Sequence, residues 1–169
     1  MAQLETDRLQ LRYLTLDDST FIYTLLNTPE WIKYIGDRDI KSLDDARNYI
    51  TNGPFESYEK NGFGPFVVQL KESNIPIGLC GLYKRDGLDD VDIGFAFLSE
   101  YSGKGYAYEA ASTTLEYAKT TLNMNSIAAI TVEYNISSIN LIKKIGLTFE
   151  KIIRIPNDPE DLMLFVYRK

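Results

Sequence analysis

Apolar and polar residues alternate along Arg8-Leu9-Gln10-Leu11-Arg12-Tyr13-Leu14, the period of two that marks a half-buried strand over residues 8–14. The period then lengthens. Phe21, Ile22, Leu25 and Leu26 recur at helical spacing, with Asp17 or Asp18 placed to cap the helix and Pro29 placed to stop it. A second helix is expected over 43–61. Ser42, followed three residues later by Asp45, resembles a capping arrangement with Asp where Glu or Gln is usual. Gly53-Pro54 should break or kink that helix. Strands are then expected at 65–70, 76–83 and 91–98, the last two joined by a turn at Asp86-Gly87. The segment 105–122 reads as a helix with Ala107, Ala110, Ala111, Leu115, Ala118 and Leu122 on one side. Beyond it come a strand at 127–132, a short helix at 137–145 ended by Gly146, and a strand at 162–167. This order predicts an α/β chain with a mixed central sheet, antiparallel early and parallel later, covered by helices.

Composition narrows the chemistry. The 169 residues fit one core, and 44% apolar with 25% charged residues is the balance of a folded chain. The first residues lack a basic region followed by an apolar run, so no secretory signal is expected, and no stretch is apolar enough to span a bilayer. Cys80 has no second cysteine to pair with, which suits a reducing, cytoplasmic setting. A formal charge of −6 disfavours nucleic acid and biases the surface toward cationic partners such as amines. There is no histidine, which removes Ser-His-Asp and Cys-His schemes and the commonest zinc ligand, so no metal is expected. Acid–base work falls to Asp, Glu, Tyr, Ser, Lys or water.

The segment Ser102-Gly103-Lys104-Gly105-Tyr106-Ala107 joins a strand to a helix. Two glycines let the backbone approach a ligand without a Cβ in the way. The first amides of the helix lack internal partners and sit at the positive end of its dipole. Together these features suit a pyrophosphate, with Lys104 adding charge at the rim. A Walker A pattern is absent, and a dinucleotide fingerprint would need Gly or Ala where Tyr108 stands. A glycine turn that merely opens a helix has the same local signature.

The chain resembles the GNAT acetyltransferases, and within them the RimJ/RimL-like branch that acetylates ribosomal-protein N-termini and related amines. The family's loop, Gln/Arg-x-x-Gly-x-Gly/Ala, is matched from Ser102 to Ala107 with Ser102 at the Gln/Arg place. A second motif follows in Asn135-Ile136-Ser137-Ser138, Asn140 and Lys144-Ile145-Gly146-Leu147, where the family usually ends in Gly-Phe. The opening from Leu4 to Arg12 and the stretch from Asp92-Ile93-Gly94-Phe95 to Glu109-Ala110-Ala111 are also similar to that branch. The resemblance implies one GNAT-like acyl-CoA N-acyltransferase domain over residues 1–169, with helices on both sheet faces. It also implies a commonly bulged strand at 91–98 that splays from the strand near Ile127. The arm of acetyl-coenzyme A would lie in that gap against the backbone of Phe97 and Leu98. Its pyrophosphate would meet Gly103, Lys104, Gly105, Tyr106, Ala107 and Tyr108, and Asn135 and Asn140 match positions that often contact coenzyme A. A homodimer is implied by the family alone.

Direct transfer to an amine needs a base, because an alkylammonium has a pKa of roughly 10.4. It also needs a polarised thioester carbonyl and a group to receive the thiolate. Asp92 stands where the branch often has Glu and is the first candidate base, through water or directly; Glu133 is the second. The alternative for Asp92 is a solvated place in an acidic hairpin with Asp86, Asp89 and Asp90. Family members often carry a Tyr acid where this chain has Ile142, so Ser138 is the candidate donor to the thiolate; its alternative is a helix N-cap. Cys80, in an apolar strand, reads as a buried inert thiol. The family forms its acceptor wall at the segment Trp31 to Asp39. The expected reaction is acetyl transfer to a primary amine: a protein N-terminus, polyamine, aminoglycoside or amino-sugar. A non-catalytic coenzyme A sensor and a nucleotide-binding oxidoreductase are the competing readings.

Overall fold

In the computed structural model, which describes residues 2–169, eight strands form one mixed sheet in the order β1-β2-β3-β4-β5-β6-β8-β7. β1 (Ala2–Glu5) and β2 (Leu9–Tyr13) are followed by α1 (Ser19–Leu26), α2 (Pro29–Tyr34), α3 (Leu43–Ile50) and α4 (Glu56–Asn61). The antiparallel run β3 (Pro65–Leu70), β4 (Pro76–Tyr83) and β5 (Asp92–Phe97) comes next. Then come α5 (Tyr106–Thr120), β6 (Ser126–Thr131), α6 (Ile136–Lys144), β7 (Thr148–Ile153) and β8 (Leu162–Arg168). No helix among the described residues is long and apolar enough to cross a membrane.

Helices cover both faces of the sheet, because successive strand residues point to opposite sides. Leu9, Leu11, Phe66, Val68, Cys80 and Leu82 pack with the small face of α5, Ala110, Ala111, Leu115 and Ala118. Val67 and Leu79 belong to the other core, with Ile22, Leu25 and Leu26 of α1 and Ala46 and Ile50 of α3. Cys80, in the core with α5, is fully buried; its Sγ lies 3.4 Å from Thr114 Oγ1 and burial pushes the thiol up to about 12.

Several local expectations change. Asp18 does not cap α1 with its side chain. Thr15 opens a preceding 3-10 turn, and the Asp18 carboxylate accepts from the Thr15 amide and from Arg12 at 2.8 and 2.9 Å. Pro29 starts a helix instead of stopping one: Thr28 caps α2 and Pro29 takes its first position, where a missing N–H costs nothing. Ser42 does accept from the Asp45 amide, but Asp45 reaches back to the amide of Lys41. The run from α3 to α4 stays helical through a π segment at Thr51–Phe55 that absorbs Pro54.

The second half of the sheet is not parallel. Its one parallel junction is β5–β6, after which β6–β8 and β7–β8 are antiparallel. β7 escaped the sequence reading because it is an edge strand with Phe149 and Ile152 half exposed, which blurs its alternation. β1 and α2 are likewise elements the apolar pattern did not announce.

β4 passes so close to its neighbour that Gly81 has no room for a side chain. An added Cβ would lie 2.4 Å from Pro65 Cα and 2.5 Å from Gly64 O, both backbone atoms. Gly81→Ala is therefore expected to destabilise the fold by about 2 kcal/mol or more, read as a lower urea midpoint.

Candidate active site

β5 and β6 touch at a single register pair, Asp92 with Ala128, closed by the Ala128 amide donating to Val91 O at 2.9 Å. Beyond that vertex they diverge. Each stays bonded on its other side, β5 to β4 from Asp92 to Phe97 and β6 to β8 along its length. The divergence does not come from the expected bulge. The β4–β5 register is unbroken, and the irregularities sit in β1–β2, β3–β4 and β7–β8. The gap opens into a cleft of about 1550 Å³ lined by Gly94, Phe95, Ala96 and Phe97 on one side and Ile130, Thr131 and Val132 on the other. Ser102, Asn135 and Ser138 also line it.

At the head of α5 the loop adopts the geometry an anion needs. Gly103 and Gly105 hold left-handed backbone, φ 74° and 83°, and Gly105 is the N-cap with no side-chain cap bond. The first helical bond is Glu109 N to Gly105 O. Among the described residues, the six consecutive amides from Gly103 to Tyr108 donate to no protein acceptor. Lys104 is exposed beside this run, its Nζ 5.8 Å from the Tyr101 ring centre.

Sequence reasoning missed what holds this loop. Arg8, in the turn entering β2, donates from Nη1 to Lys104 O at 3.0 Å and from Nε to Glu109 Oε2 at 2.8 Å, and lies over the Tyr106 ring. Glu109 also accepts from the Arg8 amide and from Thr6 Oγ1. Desolvation is the largest single influence and pulls its pKa up, but these bonds and the Arg8 charge together hold the carboxyl below its ordinary value. A salt bridge across about 100 residues of chain leaves no local periodicity; the only signal was that Arg8 and Glu109 both fall in stretches resembling the family. Arg8→Ala is expected to loosen the loop and weaken any pyrophosphate binding there about three- to tenfold, while the melting temperature falls by only a few degrees, since partly exposed pairs contribute little to stability.

Asp92 stands at the vertex of the gap and is 1% exposed, not solvated as its acidic neighbours suggested. Asp86 and Asp89 are exposed, and Asp90 turns to Ser126 and Arg168. Both carboxylate oxygens of Asp92 accept from Arg85 Nε, at 2.9 and 3.0 Å. Burial is the largest influence on its acidity; the Arg85 charge and hydrogen bond oppose it, and the carboxyl is pushed up to about 6.

The remaining candidates separate. Ser138 lines the cleft half-buried, and it is not the cap of α6: that is Asn135, whose Oδ1 accepts from the Ser138 amide at 3.3 Å. Asn135 therefore reaches the cleft already engaged. Glu133 lines a separate, smaller cavity with Tyr134, Ile152 and Glu160, and Asn140 is exposed on α6 away from the cleft lining. Phe97 faces the cleft, while the amide of Leu98 is spent on Ile77 O and its carbonyl already accepts from the Tyr101 amide. All of Trp31 to Asp39 lies along the cleft wall.

A mixed sheet parted at one parallel junction, with a helix start that follows Ser102 of the cleft lining, matches the splayed strands the sequence resemblance implied, without the bulge. The family model described as "Acetyltransferase (GNAT) domain" matches residues 8–148, and the chain belongs to that family. It is 31% identical over 147 residues to the uncharacterized N-acetyltransferase YnaD of Bacillus subtilis strain 168, covering 87% of this chain and 83% of that one. A GNAT-family acetyltransferase structure from Bacillus anthracis superposes with a TM-score of 0.80 at 27% identity, covering 98% of this chain and 97% of the other. RimL, the ribosomal L7/L12 alpha-N-protein acetyltransferase in complex with coenzyme A, shares the fold with a TM-score of 0.84 at 11% identity, covering 99% and 98%.

Proposed function

We propose that this acetyltransferase takes its acetyl group from acetyl-coenzyme A and passes it to a primary amine by direct transfer, as a RimJ/RimL-like member of the family acting in the cytoplasm. The observation that carries the reading is the run of six unpartnered amides from Gly103 to Tyr108, which directly follows Ser102 of the cleft lining. A helix start with free N–H groups suits a pyrophosphate, and the adjoining gap suits an extended arm lying against Phe95 and Phe97. The coenzyme A held by RimL, which shares this fold, supports the same use of the site.

In this reading Asp92 is the base. A carboxylate with its acidity near 6 is ionised at neutral pH yet is a better proton acceptor than a free one. Because both oxygens also hold Arg85, it takes the amine's proton through a bridging water. The neutral amine nitrogen then bonds to the thioester carbonyl carbon, the C–S bond breaks with its electron pair on sulfur, and the nitrogen's surplus proton passes to the departing thiolate, to which the Ser138 hydroxyl donates a hydrogen bond. Glu133, in its separate cavity, takes no part.

Calorimetric titration tests the donor. Acetyl-coenzyme A should bind at least about tenfold more tightly than S-acetyl-pantetheine, which lacks the pyrophosphate, since several charge-assisted bonds are lost. Equal affinities, or no binding of acetyl-coenzyme A, would overturn the assignment.

A further inference from the structure

The acceptor end of the cleft carries a group of polar atoms that the reaction just described does not use. Tyr49 of α3 and Tyr83 of β4 both line it, and among the described residues neither hydroxyl has a hydrogen-bond partner. Arg85 spends only its Nε on Asp92; its guanidinium lies 4.7 Å from the centre of the Tyr83 ring with both terminal nitrogens unengaged. Arg38, in the loop between α2 and α3, also lines the cleft and has neither a salt bridge nor a hydrogen bond among the described residues. The carboxylates beside it are engaged: Asp39 pairs with Lys41 at 3.1 Å, and Asp37 accepts from the Asp39 amide. Burial holds both phenols above their ordinary range, so each remains an O–H group able to donate.

The free groups at this end thus include two hydroxyls and the unspent N–H groups of two arginines, all able to donate. A bare alkylamine or polyamine has only N–H groups to offer them, and an ammonium would meet the arginines as a like charge. An oxyanion satisfies all four. Arg38 and Arg85 together offer a carboxylate two cationic partners. Arg85 also sets a spacing. With Nε on Asp92 and its terminal nitrogens free, an amine activated at Asp92 and a carboxylate held by the same guanidinium would be a few bonds apart, as in an α-amino acid.

We infer that Arg38, Arg85, Tyr49 and Tyr83 form a carboxylate subsite, and that the acceptor is a small amino acid-like amine carrying a free carboxylate near the reacting nitrogen. This rests on the proposed acetyl transfer and narrows it: the net acidity of the chain pointed to cationic acceptors, whereas this end of the cleft selects a zwitterion.

The test is thiol release from acetyl-coenzyme A with a panel of free L-amino acids, the same compounds as carboxamides, their decarboxylated amines, and the matching aminophosphonates. For the best acceptor, kcat/KM should be at least about tenfold higher for the free acid than for its carboxamide, the scale of one charge-assisted hydrogen bond. In Arg38→Gln and in Tyr49→Phe that ratio should fall to within about threefold. Carboxamides or decarboxylated amines used as well as the acids would overturn the subsite and leave the transferase intact. Preference for the phosphonates would also overturn the carboxylate assignment. No thiol release with any amine would count against the transferase reading; the subsite is then judged by saturation-transfer NMR with the amino acids. Binding lost in Arg38→Gln would sustain it, and absent or unaltered binding would sink it.

Discussion

Gly105→Val should bind acetyl-coenzyme A at least about tenfold more weakly than the unsubstituted chain. Gly105 is the N-cap of α5 at φ 83°, a conformation that costs a β-branched residue about 1–3 kcal/mol. Its Cβ would also stand 3.3 Å from Arg8 Nη2, the guanidinium that ties down the loop. The loop then relaxes at the point where its free amides must converge. Far-ultraviolet circular dichroism and the melting temperature separate this from general unfolding, since the strain is confined to an exposed turn. A folded variant with unchanged affinity would mean that the run from Gly103 to Tyr108 does not hold the pyrophosphate.

Asp92→Asn should lower kcat by about 100-fold or more, the usual range for loss of a general base, with cofactor affinity within about twofold. The pH dependence is the sharper reading. With its acidity pushed up to about 6, Asp92 acts as a base only when ionised, so kcat/KM of the native chain should rise with pH through about 6 and then level. The variant should lose that limb. An unaltered profile would remove Asp92 from the chemistry. Stability responds with its own sign: the folded carboxyl holds its proton more tightly than the unfolded one, whose ordinary value is 3.8. The native state therefore binds more protons between about pH 4 and 6, and this group's contribution to stability declines as pH rises through that window. In Asp92→Asn that decline should be absent, although Arg85 then loses its carboxylate partner.

Much of the fold was legible because it is written in local periods. β3 and β4 fall on the residues expected for them, 65–70 and 76–83, and α5 follows its small apolar stripe within two residues at its C-terminal end. The glycine loop was legible for a related reason. Gly103 and Gly105 stand where a strand hands over to a helix, and left-handed backbone with free helix-start amides is a property of the segment itself. β7 was not legible, since an edge strand with exposed apolar residues carries little alternation.

The sequence by itself determined most of the elements, though not β1, α2 or β7, together with the glycines of the loop and the supply of candidate acids and bases in a chain without histidine. Only the tertiary structure decided which of them meet. Sheet order puts Asp92 beside Ala128 and lets β5 and β6 part beyond that pair, so a gap exists where two strand patterns predicted only strands. The same assembly turns Asp92 inward onto Arg85 while Glu133, equally plausible in one dimension, faces another cavity. It also brings Arg8 to Lys104 and Glu109. The physical reason is common to all of these. Hydrogen-bond ladders and side-chain periods act over a few residues and are written in order, whereas charges and hydroxyls act on whatever packing brings within about 3 Å.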